Sequence, residues 1–244
     1  MECPFSILTA CPPSLSSPSK RFSYLYRMNT PLIISPGAEA YAQSFTAPEA
    51  GLLQEIARFT QTAHPHAHML SGQVQGKFLS FISTIQRPRY VLEIGTFTGY
   101  SALCLADGLS PEGELHTIEC REEDATTARN YFSKSKRNHQ IHLHIGNAAE
   151  IIPTLSHQWD LVFMDADKTG YIGYYEQIVP KLSKNGIILA DNVLFHGQVM
   201  EDPITGKNAK AIHAFNEHVK KDPRTEQVLL TIRDGLLMIK KRAE

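Results

Sequence analysis

Long apolar runs are missing from the sequence: none approaches the roughly 20 residues that a membrane-crossing helix needs, so a soluble protein is expected. Excess charge is missing too, because 24 Lys and Arg stand against 25 Asp and Glu and leave a net charge of -1. No overall basic field therefore draws the chain to nucleic acid or anionic lipid. Cysteine is sparse. Cys3 and Cys11 lie near the start, Cys104 and Cys120 far from them, with no C-x-x-C pair or knuckle spacing; the pattern fits a reducing, cytoplasmic compartment. These absences leave chemistry on a small molecule as the first expectation.

What is present suffices for a sizeable core. The chain has 244 residues and 42% hydrophobic content, which suits one large domain. Residues 1–28 are rich in Ser and Pro and end at a second methionine, Met28, so they read as a disordered extension or an upstream start. Their apolar patch ending in "LTAC" has neither the basic n-region nor the length of an export signal, and organelle targeting is a weaker alternative. Residues 29–244 are expected to form the single domain.

From Met28 onward the hydrophobic period switches repeatedly between helical and strand-like. "PEAGLLQEIARFTQTA" and "GQVQGKFLSFISTIQ" form an amphipathic helical lead-in. Then "YVLEIG", "ELHTIE", "IHLHIG", "WDLVFMDA" and "GIILAD" read as strands, separated by helices such as "YSALCLADGL", "EDATTARNYFSKS" and "YYEQIVPKL". Alternation of this kind predicts a mostly parallel, doubly wound, Rossmann-like sheet with helices on both faces. After a last helix, "AKAIHAFNEHVKK", two apolar runs flank Asp234 and Gly235, which predicts a closing antiparallel hairpin.

Ligands of such sheets bind beyond the carboxyl ends of the strands, where strand order reverses. The first strand ends in "VLEIGTFTGYS", where Gly95 and Gly99 permit a tight turn into a helix. Phe97 stands where a dinucleotide fingerprint needs its second glycine, so a pyrophosphate fits poorly. Glu93 would repel a phosphate but welcome the ammonium of a methionine moiety, as in S-adenosylmethionine. Glu119, closing the second strand, can take ribose hydroxyls. At the same rim Asp165 closes the fourth strand and Asp191 and Asn192 the fifth. Two carboxylates and an amide oxygen, with no adjacent Cys or His, suit a hard cation, Mg²⁺ or another such as Mn²⁺ or Ca²⁺.

The segments "MLSGQVQGKFL", "VLEIGTFTGYS", "IGNAAEIIP", "FMDADKTGY", "LADNVLFHG" and "RDGLLMIKK" resemble, in order and spacing, the metal-dependent O-methyltransferases of the catechol and caffeoyl-CoA type, over roughly residues 38–242. The resemblance implies that Asp165, Asp191 and Asn192 hold the metal and that Lys168 is the catalytic base, acting beside Asp165. It also places Ser71, Glu93, Gly95, Thr96, Ser101, Glu119, Ala148, Asp165 and Asp167 around S-adenosylmethionine, and implies a homodimer. The sequence departs from the pattern at Asn147, where many relatives carry Asp, and at Phe195, a frequent Trp. It also lacks the Tyr/Arg-rich insertion of the plant enzymes.

These parts suit one reaction. Two neighbouring phenolic hydroxyls can chelate the cation, which favours the phenolate and aligns it with the sulfonium methyl. A small vicinal diphenol is the expected acceptor. A tRNA hydroxyuridine-type acceptor is the alternative, disfavoured by the neutral net charge, and a scaffold that has lost catalysis is disfavoured by the intact Asp165, Lys168, Asp191 and Asn192. The histidines of "AHPHAHM" are expected to hold no metal. His142 and His144 read as the polar face of a strand, and Trp159 as core.

Overall fold

The computed structural model describes residues 34–49 and 51–242; the extension expected over residues 1–28 lies outside them. The strands that read as near-continuous apolar runs are central and buried. They are β1 (Tyr90–Ile94), β2 (Glu114–Glu119), β4 (Trp159–Met164) and β5 (Leu182–Asp191). β3 (Ile141–Ile145) lies at one edge, and the hairpin of β6 (Thr225–Leu230) and β7 (Leu236–Lys241) forms the other. The sheet order is β3-β2-β1-β4-β5-β7-β6. The first five strands run parallel, and β7 is antiparallel to both β5 and β6. The doubly wound fold with its closing hairpin is therefore as expected. No helix among the described residues is long and apolar enough to cross a membrane.

Helices cover both faces. On one, α2 (Leu52–Ala63), α3 (Gln73–Gln86), α4 (Tyr100–Ala106) and α5 (Glu122–Phe132) pack Ile56, Leu79, Leu103 and Ala128 against Val91, Leu115, Leu161 and Leu189. On the other, α6 (Ala148–Thr154), α7 (Tyr171–Ile178) and α8 (Lys207–Lys221) pack Ile152, Tyr175, Ile212 and Phe215 against Leu92, Ile118, Val162 and Ile188. Alternate residues of one strand feed the two layers, as the period of two requires.

Three local features were not read from the pattern. A helix α1 (Pro36–Phe45) precedes the lead-in, started by Pro36 and capped by Ser35, whose Oγ accepts from Ala38 N. The short α6 starts at Asn147, whose Oδ1 accepts from Ala149 N. The helix expected through residue 182 instead ends at Ile178 and tightens into a 3₁₀ turn over Val179–Lys181, because Pro180 has no N–H to continue the ladder. β5 then starts early, with Leu182 opposite Trp159 and the regular ladder resuming at Ile187 opposite Leu161.

Strand order reverses between β1 and β4, and the two strand ends close on each other there. Gly95 has φ 100°, and a Cβ on it would sit 2.1 Å from the Asp165 carbonyl oxygen. Gly95→Ala is therefore expected to cost at least about 1–3 kcal/mol from backbone strain alone, with added displacement of Asp165. Urea unfolding of the variant beside the wild type measures this; equal midpoints would mean that the turn relaxes freely.

Candidate active site

The turn after β1 is built around two buried glutamates. Glu93 lies on β1 with no exposed surface, and its Oε2 accepts from Thr117 Oγ1 at 2.5 Å. Thr117 Oγ1 also lies 2.5 Å from Thr96 Oγ1, so the buried Thr96 joins the same chain. Glu93 Oε1 is buried without a hydrogen-bond partner among the described residues, a placement that normally costs stability. Burial pushes the Glu93 carboxyl up to about 8; the charges of Asp165 and Glu119 add to this, and the Ser101 and Thr117 hydroxyls oppose it.

Glu119 does different work. Its Oε2 accepts from Phe97 N at 2.7 Å and its Oε1 from Arg121 N at 2.9 Å, so one carboxylate clamps the turns after β1 and β2. Phe97 is held in the left-handed region, φ 51°, which costs a non-glycine residue energy and persists only when its surroundings dictate it. Ser101 is buried in the first turn of α4, Ala148 is buried at the start of α6, and Ser71 is buried just before α3. His64 Nε2 donates to Asp124 Oδ1 at 2.8 Å and packs edge-on against Phe97. These contacts tie His64 to α5 and to the turn after β1.

On the neighbouring rim, Lys168 Nζ donates to Asp165 Oδ1 and to Tyr171 Oη, both at 2.9 Å. Tyr171 Oη lies 3.0 Å from the carbonyls of Met164 and Asp191, which ties the ends of β4 and β5 together. Asp191 is buried: its Oδ2 accepts from Gln75 Nε2 and its Oδ1 from Asn192 N, both at 2.8 Å. Burial, then the charge of Asp165, pushes Asp191 up to about 6, and Gln75, Lys168 and Arg233 oppose this. Crowded acids of this kind are relieved by a cation. Asn192 adopts φ 59°, and its Nδ2 donates to Asp234 Oδ2 at 3.5 Å, leaving the amide oxygen free of that contact.

Burial by itself favours the free amine of Lys168. The charge of Asp165 and the contacts with Tyr171 and Asp165 outweigh burial and hold Lys168 well above the ordinary lysine range. Asp167 is held by partners of its own: Tyr174 Oη donates to its Oδ1 at 2.5 Å and Thr169 Oγ1 to its Oδ2 at 3.2 Å.

Four residues with no role assigned from sequence complete the rim: Gln75, Tyr171, Arg233 and Asp234. Arg233 Nη1 donates to Gln75 Oε1 at 3.0 Å, steadying the amide that holds Asp191. Asp234 sits in the hairpin loop and accepts from His196 N at 2.5 Å, while its carbonyl accepts from Leu194 N. The hairpin connection spans residues 231–235, longer than a two-residue turn, and docks on the segment after β5. The quoted segments "MLSGQVQGKFL" and "RDGLLMIKK" already contained Gln75, Arg233 and Asp234, but only the fold gives them partners.

A family model described as O-methyltransferase matches residues 43–242. The chain belongs to the O-methyltransferase family. Its solved neighbours include O-methyltransferases in complex with SAH or SAM. The methyltransferase aligns with an O-methyltransferase of Bacillus cereus in complex with SAH at TM-score 0.78 and 28% identity, over 84% of this chain and 97% of that one. A relative from Dictyostelium discoideum named "Probable caffeoyl-CoA O-methyltransferase 2" is 34% identical over 77% of this chain and 84% of its own. A catechol O-methyltransferase of Niastella koreensis is 32% identical over 58% of this chain and 66% of its own.

The Glu93 carboxyl makes the methyltransferase pH-sensitive. Its folded-state pKa of about 8 lies above the ordinary 4.5, so across that window the unfolded chain releases a proton that the folded chain keeps. Stability then falls as pH rises through the window. Glu93→Gln, which cannot ionise, is expected to flatten the fall in ligand-free protein, measured as urea midpoints from pH 5 to pH 9. An unchanged slope would assign the effect to other groups.

Proposed function

We propose that the protein methylates one hydroxyl of a small vicinal diphenol, with Asp165, Asp191 and Asn192 holding a hard divalent cation, Mg²⁺ or an equivalent such as Mn²⁺ or Ca²⁺. The observation that carries this reading is the convergence of Asp165 from β4 with Asp191 and Asn192 from the adjacent β5, beside Lys168 Nζ at 2.9 Å from Asp165 Oδ1. An all-oxygen set containing two carboxylates fits such a cation. The named caffeoyl-CoA and catechol relatives support a catechol-like acceptor.

Held by Asp165, Asp191 and Asn192, such a cation would supply Lewis acidity that favours the phenolate over the phenol and would help orient the acceptor. S-adenosylmethionine supplies an electrophilic methyl group: the C–O bond forms as the S–C bond breaks, and the phenolic proton passes to a base. The unpartnered Glu93 Oε1 fits the donor's ammonium, and the buried Ser71, Thr96 and Ser101, the Gly95 turn, Glu119, Ala148, Asp165 and Asp167 are assigned to the donor with it. Gln75 and the Asn192 backbone N–H hold Asp191 in place. Lys168 is assigned the proton. The charge of Asp165 keeps Lys168 protonated; with that charge engaged elsewhere, burial favours the free amine. A cleft of about 260 Å³ lined by Gln43, His68, Ser71, Gln73 and Arg233 shares Arg233 with the Asp191 support and can admit the acceptor.

Mass spectrometry of catechol and phenol incubated with S-adenosylmethionine and Mg²⁺ tests the reading. Methylation of catechol, much slower turnover of phenol, and loss of activity with chelator are expected; equal rates would remove the chelate from the mechanism, and methylated bulk tRNA would move the acceptor to RNA. Lys168→Ala is expected to lose about 10²–10⁴-fold in kcat/KM and to recover partly as pH rises. An unchanged pH profile would sink the base assignment.

We also place the protein in the cytoplasm as a homodimer. Phe81 and Ile85 on α3 are 59% and 78% exposed, and Val228 and Leu229 on β6 add to the uncovered apolar surface. Light scattering should give twice the chain mass; a single-chain mass at micromolar concentration would contradict it.

A further inference from the structure

The densest set of imidazoles in the described residues lies at the opposite end of the sheet from the methyl-transfer rim. Glu114 opens β2, His116 follows two residues later, His142 and His144 lie on β3, and His157 sits between α6 and β4. Alternation puts Glu114 and His116 on one face of β2. The parallel register pairs His116 with His142 and Ile118 with His144, so the strand histidines share that face. His116 stacks on His142 at 4.9 Å and on His144 at 5.3 Å, and the His157 ring lies 4.6 Å from it. His116 Nε2 is 3.1 Å from Glu114 Oε2, and its Nδ1 is 3.0 Å from His144 Nε2.

We propose that Glu114, His116 and His157 form a second metal site, for a divalent transition ion of the zinc type. One donor atom from each lies within 4.8 Å of the others. Donors of a tetrahedral zinc, about 2.0–2.1 Å from the ion, stand roughly 3.3 Å apart, so small side-chain rotations close the set. Imidazole with one carboxylate selects zinc-like ions, unlike the all-oxygen rim at the other end of the sheet. His144 is the positioning residue. When His116 engages an ion through Nε2, its Nδ1–H can donate to His144 Nε2, the outer partner that metal-bound histidines commonly have. In the absence of an ion, Nε2–H donates to Glu114 instead, so both rings exchange tautomers with no net change of charge.

The rings are in the state a ligand requires. Burial holds His116 down at about 4, with Glu114 opposing and the other histidines assisting, and burial likewise lowers His144. Neutral imidazoles bind ions without first losing a proton to solvent. His142 and Glu114 side chains are 43% and 40% exposed, which leaves the cluster open to an incoming ion. Occupancy would tie the β2–β3 edge to the loop before β4, remote from the transferred methyl group.

Zn²⁺ titrated into the full chain in millimolar Mg²⁺, against a chromophoric chelator, tests the site. One Zn²⁺ per chain is expected, with a rise in Tm that persists in Asp191→Ala. Glu114→Gln and His157→Ala, which alter a half-exposed strand residue and a loop residue, are expected to weaken Zn²⁺ binding at least about tenfold while retaining binding of S-adenosylhomocysteine, which certifies their fold. Co²⁺ in place of zinc should give visible absorption bands in the wild type that both variants lose. Zn²⁺ affinity unchanged in both variants, or abolished by Asp191→Ala alone, would overturn the proposal.

Discussion

The close approach of the β1 and β4 strand ends is the constraint on which the active rim depends. Gly95 N donates to the Ile118 carbonyl and Asp165 N to the Ile94 carbonyl, so three parallel strands end in one hydrogen-bonded junction. A side chain at residue 95 would occupy the space of the Asp165 carbonyl. That one absent Cβ lets the turn carrying the assigned donor-binding residues touch the strand end carrying the acid and lysine. Donor and acceptor chemistry can therefore meet because two strand ends do, at the point where strand order reverses.

Buried charge is managed differently on the two sides of that junction. Glu119 is satisfied by two backbone N–H groups, a rigid arrangement that needs no ligand. Glu93 has one oxygen satisfied and the other orphaned, and Asp191 is raised by burial and by Asp165. Lys168 offsets part of the acidity, yet its ion pair with Asp165 keeps it protonated. Glu93 and Asp191 are thus carboxyls held at a cost to the empty fold, and perturbed groups of this kind cluster at functional sites.

The closing hairpin contributes more than two edge strands. Through Asp234 it grips His196 and Asn192, and through Arg233 it steadies Gln75, which in turn holds Asp191. Three elements far apart in sequence, namely α3, the end of β5 and the loop before β7, are coupled by these contacts. The apolar face of β7 against β5 anchors the loop that performs this task.

Much of the architecture was legible in residue order alone, because hydrophobic period and turn chemistry are local properties: the strands, the βα alternation and the Asp234–Gly235 hairpin all follow from them. The candidate residues Glu93, Glu119, Asp165, Lys168, Asp191 and Asn192 were legible because parallel strands deliver their carboxyl ends to one rim. The sequence could not say which partner each side chain would take. Tertiary packing alone decided that Tyr171 links two strand ends, that Gln75 and Arg233 support Asp191, and that Asp167 turns toward Tyr174 and Thr169. It also turned the polar face of β3 into a histidine cluster, by setting β2 and the loop at His157 beside it. Hydrogen bonds between residues such as Gln75 and Asp191 span 116 positions, and no periodicity within one element encodes a distance that only the folded sheet brings to 2.8 Å.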